Sequence, residues 1–161
     1  MQDLRPHFIQ SLIDLAEKDN KIILISGDVG YSFAEPFIEK FPRQFLNCGI
    51  MEQSMTGIAA GMAMGGLKPH IYSMIPFITM RNYEQIRDDI AYQNTNVKIV
   101  GVQGSERYKF LGFTHNAYNN EDIKILEILP NLKIYTPISP DEVDLAIKES
   151  YKNNKPSYIR L

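Results

Sequence analysis

Residues 45–66, FLNCGIMEQSMTGIAAGMAMGG, contain a short apolar strand, a turn at Gly49 and a helix that begins near Glu52. Glycine and alanine crowd this helix between Gly57 and Ala63. A glycine inside a helix costs about 1 kcal/mol relative to alanine. Such a helix makes sense where another group must approach its backbone closely. The segment therefore predicts a strand-to-helix turn that a ligand can reach.

The same alternation of strand and helix extends along the whole chain. Continuous apolar runs, which are typical of strands buried on both faces, and short β-rich segments predict strands at 22–26, 45–48, 70–73, 97–103, 133–136 and 157–161. Helical spacing of apolar residues predicts helices at 8–16, 32–40, 52–64, 81–93, 121–129 and 140–152. We therefore expect one α/β domain over residues 1–161, with a doubly wound, mostly parallel sheet and helices on both faces.

Composition excludes several classes of protein. The 161 residues carry a net charge of −2 and show no basic face, which argues against a nucleic-acid partner. No apolar stretch approaches the ~20 residues of a membrane span, and the first residues do not resemble a signal peptide. Cys48 is the single cysteine, so no internal disulfide can form. These features predict a cytoplasmic protein.

The segment 104–120 is unusually long for a loop in a compact domain, and such loops are often functional. It follows a central strand, at the edge where open α/β sheets bind their ligands. It is too aromatic for a disordered linker, since it contains Tyr108, Phe110, Phe113, His115 and Tyr118.

Glu52 has an ordinary explanation, because acidic residues favour the first turn of a helix. Its position between the Gly49 turn and the small-residue helix favours a functional role. Moreover, Gly49-Ile50-Met51-Glu52-Gln53 resembles the Gly-Ile-x-Glu-Gln/His motif of the transketolase pyrimidine-binding domain. Further segments resemble the same family in the same order over nearly the whole chain: 81–87, 96–100, 114–115, 119–122 and 156–161.

The resemblance implies a thiamine diphosphate-binding fold and a set of site residues. Glu52 is expected to be catalytic, to hydrogen-bond the pyrimidine N1′ of thiamine diphosphate and to exchange a proton with it, as a buried carboxyl group can. Phe77 is expected to stack on the pyrimidine ring, and Ile50 and Arg81 to contact the cofactor. His115 is expected to contact substrate hydroxyl groups. Phe77 could instead be a core residue, and His115 a solvated one.

The chain also departs from the family pattern. Leu111 stands where the family has an aspartate that recognises a sugar hydroxyl, Asn116 replaces a glutamine, and Met74 replaces an aromatic residue. Leucine cannot accept a hydrogen bond, and leaving a buried hydroxyl unpaired costs roughly 1–3 kcal/mol. We therefore expect a modified or deoxy sugar, or a shorter ketol or acyl donor, rather than an ordinary ketose phosphate.

The diphosphate-binding part of the cofactor site is expected on a separate subunit. Gly27-Asp28-Val29-Gly30 does not reproduce the Gly-Asp-Gly motif of thiamine enzymes, and Asn47 lies too close to complete it. No metal is therefore expected here, and Mg²⁺ is assigned to the partner subunit, in a complex with two copies of each chain. A transketolase carboxy-terminal domain is also expected to lie outside residues 1–161.

The resemblance thus predicts a subunit of a split transketolase of carbohydrate metabolism, which transfers a two-carbon ketol unit between sugars or sugar phosphates. Two alternatives stay open. One is a different thiamine diphosphate enzyme, either a 2-oxo acid decarboxylase or an acyl-transferring ketolase. The other is a binding or regulatory module that kept the fold and lost the chemistry.

Overall fold

The computed structural model describes residues 3–103 and 108–161. Six strands form one sheet in the order β2-β1-β3-β4-β6-β5, and all neighbours are parallel. The strands are Ile22–Ser26 (β1), Phe45–Asn47 (β2), Lys68–Met74 (β3), Lys98–Val102 (β4), Lys133–Tyr135 (β5) and Ser157–Arg160 (β6).

Helices cover both faces of the sheet. One face carries Arg5–Ala16 (α1), Glu35–Lys40 (α2) and Pro140–Asn153 (α7). The other carries Glu52–Met64 (α3), Ile75–Thr79 (α4), Tyr83–Gln85 (α5), which continues as the π-helical segment Ile86–Tyr92, and Glu121–Leu126 (α6). The predicted doubly wound α/β fold is thereby confirmed.

The central strands are mostly apolar because they are buried on both sides. Successive residues of a strand point to opposite faces of the sheet. Ile25, Ile71 and Ile99 are aligned on β1, β3 and β4 and belong to the core beneath α3. Tyr72 and Val100, one residue further along, belong to the core beneath α1 and α7.

The order of the strands places a crevice at the carboxyl end of β1. The chain leaves β1 to form β2 on one side and later returns to form β3 on the other side. Where such connections diverge, an open α/β sheet leaves room for a ligand. Ser26 at the end of β1 is aligned with Asn47 of β2 and Tyr72 of β3, so the segments that follow these strands meet at one place.

The structure differs most from the predicted elements at three places. The helix predicted at 81–93 begins at Tyr83 and is π-helical from Ile86. The short helix α4, with Pro76 in its first turn, was not predicted, because five residues are too few to show helical periodicity. The predicted loop 104–120 contains a 3-10 helix, Lys109–Thr114, and its residues 104–107 lie outside the described part. Among the described helices, none is long and apolar enough to cross a bilayer.

Candidate functional site

Glu52 lies at the crevice, in a position that the local sequence dictates. β2 ends at Asn47, and Gly49 then turns the chain with a φ of 72°, which glycine adopts without a steric penalty. Glu52 follows as the first residue of α3 and is only 1% exposed. A carboxylate so deeply buried must be paired or hydrogen-bonded.

Both carboxylate oxygens of Glu52 have partners. The Ser73 hydroxyl, near the end of β3, donates to Oε1 at 3.2 Å. The Arg81 guanidinium, in the turn after α4, donates to Oε2 at 2.6 Å and forms an ion pair with it. Ser73 and Arg81 lie 21 and 29 positions after Glu52 in the sequence. Together they set the orientation of its side chain.

Gly27, the first residue after β1, allows the carboxylate to come this close to the sheet. A Cβ atom at this position would lie 3.3 Å from Glu52 Oε1 and 3.4 Å from Ser73 Oγ. Both distances are at or below ordinary van der Waals contact. The absence of a side chain here makes room for the carboxylate and its hydrogen bond.

A cavity of about 310 Å³ opens beside Glu52 at the carboxyl ends of β1, β3 and β4. Its size suits part of a small ligand, since complete ligand sites are roughly 300–1,000 Å³. Most of its wall is apolar or aromatic. The lining residues are Arg5, Gly27, Asp28, Val29, Gly30, Tyr31, Phe33, Ile50, Glu52, Tyr72, Met74, Phe77, Val102, Tyr108 and His115.

Phe77, on α4, links Arg81 to His115. The Arg81 guanidinium carbon lies 4.2 Å from the centroid of the Phe77 ring, within the range of a cation–π contact. The His115 ring meets Phe77 edge-on, with centroids 4.9 Å apart. His115 Nδ1 lies 2.8 Å from the Thr114 hydroxyl. Phe77 is thus placed at the site instead of in the interior of the core.

The structure brings the predicted site residues to one place. Glu52, Ile50, Phe77 and His115 all line the cavity, and Arg81 contacts two of them. Ile50 is 74% exposed, so it forms part of the rim. The roles assigned to these residues stay predictions, since proximity alone does not establish them.

Leu111 and Asn116 are two positions at which the sequence departs from the family pattern, and the structure places them differently. Asn116 is buried and donates to the backbone carbonyls of Gly112, at 2.8 Å, and Tyr108, at 3.3 Å. It therefore holds the loop together. Among the described residues that line the cavity, Leu111 does not occur, so its contact with a substrate has no support from the geometry.

Asp28 is engaged with Asn47. The Asp28 N–H donates to Asn47 Oδ1 at 3.2 Å, and Asn47 Nδ2 donates to Asp28 Oδ1 at 3.1 Å. Asn47 Oδ1 also accepts from the Gly49 N–H at 2.9 Å. This pair joins the loop after β1 to the turn that leads to Glu52. Within residues 3–103 and 108–161, no cluster of three metal-ligating side chains is found.

Among the residues at the site to which sequence reasoning assigned no individual role are Ser73, Gly27, Arg5 and Tyr72. Ser73 and Tyr72 lie on a predicted strand, but nothing in the sequence shows which of them faces Glu52. Burial raises the pKa of the Tyr72 hydroxyl, which therefore stays neutral. Arg5 stacks on the Phe33 ring at 5.5 Å. In the sequence, the one signal for a role of Arg5 was its position at the start of an amphipathic helix.

Comparison with known proteins supplies a family match over the whole chain. Residues 2–161 match the family described as the transketolase pyrimidine-binding domain. The chain is 34% identical over 158 residues to an apulose-4-phosphate transketolase subunit of Phocaeicola vulgatus, and the match covers 98% of this chain and 50% of that protein. It is 30% identical over 159 residues to a 6-deoxy-6-sulfo-D-fructose transketolase subunit of Clostridium sp. strain MSTE9, with 98% and 49% covered. The chain thus spans about half the length of these curated relatives.

Solved structures agree with this match. A split gene transketolase, described as an inactive beta4 tetramer, superimposes with a TM-score of 0.86 at 31% identity, covering 98% of this chain and 50% of that one. A transketolase from Pichia stipitis superimposes with a TM-score of 0.79 at 18% identity, covering 98% of this chain and 25% of that one. The second likeness concerns the fold alone.

Proposed function

Because this chain belongs to the transketolase family, as its pyrimidine-binding domain, we propose that it is one part of a thiamine diphosphate-dependent enzyme that transfers a two-carbon ketol unit between sugars. The observation that carries the proposal is the Glu52 carboxylate. It is buried at the switch point of the sheet, is held by Arg81 and Ser73, and borders the cavity that Phe77 lines.

The residues present fit the pyrimidine part of the cofactor. Gly27 leaves space that a Cβ would fill next to Glu52 Oε1, and the cavity offers an aromatic ring and a carboxylate side by side. Glu52, Phe77, Ile50 and Arg81 would hold the ring. When bound, thiamine diphosphate supplies the thiazolium carbon at which carbon–carbon bonds of the substrate are cleaved and formed.

The residues of this chain orient the ligand and control one proton. A carboxylate can accept a proton and return it, which an amide cannot do. Arg81 and Ser73 fix the two oxygens of Glu52, so the exchanged proton is held at a defined position. Phe77 and Met74 give the cavity an apolar wall, and exclusion of water strengthens the electrostatic interactions there. His115 lies against Phe77 and is available to a substrate hydroxyl.

A partner subunit would complete the site. We assign the diphosphate and its Mg²⁺ to that subunit, in a complex with two copies of each chain, in the cytoplasm. Asp28, which the sequence did not predict to bind a metal, accepts a hydrogen bond from Asn47 Nδ2. The similar proteins named as transketolase subunits also support a multi-subunit enzyme.

A modified sugar is the proposed substrate class. Two relatives are named for apulose 4-phosphate and for 6-deoxy-6-sulfo-D-fructose, and neither name describes an ordinary ketose phosphate. Release of carbon dioxide from a 2-oxo acid, with no ketol transfer, would instead favour the decarboxylase alternative.

The test is Glu52→Gln in the complex with the partner subunit. We expect turnover to fall by about 10²–10⁴, because the general acid–base group is lost, while the complex still assembles. Isothermal titration with thiamine diphosphate measures binding separately from turnover. Glu127→Gln, at an exposed glutamate on the end of α6, is the control and should retain full activity. Nearly normal turnover in Glu52→Gln, with the cofactor bound, would refute the assigned role.

A further inference from the structure

We propose that Thr56 and Asn82 form a buried brace that positions the backbone of Glu52 for proton exchange. Neither residue lines the cavity among the residues described there, so they would act through Glu52 instead of touching a ligand. The inference rests on the proposed function of Glu52. It assigns a positioning role to two polar residues that the mechanism above does not use.

The brace consists of two short hydrogen bonds in series. Asn82 Nδ2 donates to Thr56 Oγ1 at 2.6 Å, and Thr56 Oγ1 donates to the backbone carbonyl of Glu52 at 2.7 Å. A hydroxyl group has a single proton to donate. Since that proton goes to the Glu52 carbonyl, the Thr56 oxygen is left to accept from the Asn82 amide, and the direction of the series is determined. All three residues are between 0% and 1% exposed.

The brace acts at the beginning of α3. Glu52 is the first residue of the helix, where the backbone N–H groups have no partner within the helix, and the Thr56 hydroxyl adds a side-chain bond to the Glu52 carbonyl. Asn82 comes from a different segment, the turn before α5, and its own carbonyl accepts from the Ile86 N–H at 3.0 Å. It therefore ties the beginning of α3 to the beginning of α5.

Two residues that are neighbours in the sequence thus hold Glu52, one at its side chain and the other at its backbone. Arg81 holds the carboxylate at Oε2, and Asn82, through Thr56, holds the backbone carbonyl. If the backbone end is released, the first turn of α3 can shift, and the carboxylate shifts with it. A displacement of about 1 Å in a catalytic group can cost on the order of 10²-fold in rate.

The stability of the folded protein alone does not explain why residue 82 is an asparagine. Its Oδ1 is buried and has no hydrogen-bond partner among the described residues, and a buried acceptor without a partner lowers stability. An apolar side chain of similar volume would fill the position without that cost. The amide is therefore better explained by the bond that it donates toward Glu52.

Thr79 provides a matched control within the same protein. It is also fully buried, and its hydroxyl donates to the carbonyl four residues earlier, that of Ile75, at 2.7 Å. The Thr79→Val variant removes the same kind of hydrogen bond from α4 without touching Glu52. A difference in kcat between Thr79→Val and Thr56→Val then reflects the bonds that Thr56 makes to Glu52 and Asn82, and not merely the loss of a buried hydroxyl group.

The experiment compares Thr56→Val, Thr56→Ser, Thr79→Val and Asn82→Leu in the complex with the partner subunit and thiamine diphosphate. We expect Thr56→Val to lower kcat by about 10–100-fold, with little change in KM and a displaced pH profile of kcat. Thr56→Ser, which keeps the hydroxyl, should recover kcat to within about threefold. Thr79→Val should lower Tm by less than Thr56→Val does, because it leaves no buried amide unpaired, and it should leave kcat and its pH profile unchanged.

A second measurement does not depend on turnover. In ¹⁵N NMR spectra of the full chain, the Arg81 guanidinium signal should broaden in Thr56→Val and stay sharp in Thr79→Val, because the pair with Glu52 loosens in the first variant alone. The Asn82→Leu variant tests whether misfolding could explain a loss of kcat. It removes the donor together with the unpaired Oδ1, so we expect Tm to be equal to or above that of the wild type while kcat falls.

Several outcomes would overturn the proposed positioning role of Thr56 and Asn82. Equal losses of kcat in Thr56→Val and Thr79→Val would reduce it to ordinary stabilisation, and full activity in Asn82→Leu would do the same. These results leave the proposed function intact as long as Glu52→Gln is inactive. An active Glu52→Gln variant would overturn the proposed function itself, whatever the brace variants show.

Discussion

The ion pair between Arg81 and Glu52 leads to a quantitative prediction about stability. Its two side chains differ sharply in exposure, at 40% for Arg81 and 1% for Glu52, although their atoms lie 2.6 Å apart. In Arg81→Met the long apolar stem remains over Phe77, but the guanidinium is lost. Glu52 then keeps the Ser73 hydroxyl as its side-chain partner and stays buried without the cation that paired with it.

The expected magnitude follows from this geometry. Removing one partner of a fully buried ion pair costs about 3–5 kcal/mol, whereas a fully exposed pair contributes about 0–1 kcal/mol. Because the Arg81 side chain is 40% exposed while Glu52 is buried, we expect an intermediate loss of about 2 kcal/mol. For a domain of this size, that corresponds to a decrease in Tm of roughly 4–8 °C.

The assay is a double-mutant cycle measured by urea unfolding, with Arg81→Met, Glu52→Gln and the double variant. When Glu52 is already neutral, loss of Arg81 leaves no charge stranded, so the coupling free energy should exceed about 1 kcal/mol. Arg87→Met removes an exposed pair with Asp88 and should change stability by less than about 0.5 kcal/mol. If the effects at positions 52 and 81 simply add, the pair does not stabilise the site as argued.

Three further predictions follow from the packing and the charges. Gly27→Ala places a methyl group 3.3 Å from Glu52 Oε1, so we expect turnover in the complex to fall at least tenfold while Tm changes little. Gly101→Ala places a methyl group 2.8 Å from the Tyr158 hydroxyl, so thermal unfolding should reveal a loss of about 1–3 kcal/mol; an unchanged Tm would contradict the packing. Burial lowers the pKa of Lys98 to about 7, so between pH 7 and 9 the unfolded chain binds a proton that the folded chain does not, and stability should rise by roughly 2 kcal/mol over that window. Urea unfolding of Lys98→Met should lack this rise, and an identical rise in both proteins would show that Lys98 is not its source.

The elements of this protein could be predicted because their signals are local. The run at 22–26 is apolar at nearly every position, and both faces of β1 are indeed buried. The helix at 52–64 was predicted with the bounds that the structure shows. The short helix α4 and the π-helical segment after Gln85 could not be predicted, since neither has a distinct periodicity in the sequence.

The candidate site was only partly predictable for the same reason. Glu52 and Phe77 were found because they lie in segments with recognisable motifs. Ser73 and Gly27 were not found, because their importance depends on atoms of Glu52 that reach them across the sheet. The proposed effect of Leu111 on substrate choice stays a prediction, and the described cavity wall does not include this residue.

The sequence by itself determined the alternation of strands and helices, the glycine turn that presents Glu52, and the membership in a family of thiamine enzymes. The tertiary structure alone decided what holds the Glu52 carboxylate. Ser73, Arg81 and the brace of Thr56 and Asn82 reach Glu52 from three segments. Their meeting depends on the register of β1 against β3 and on the packing of α3 against α5, which arise when the whole chain buries its apolar surface. A periodic pattern encodes which face of an element is buried, but it does not encode which polar atoms will meet there.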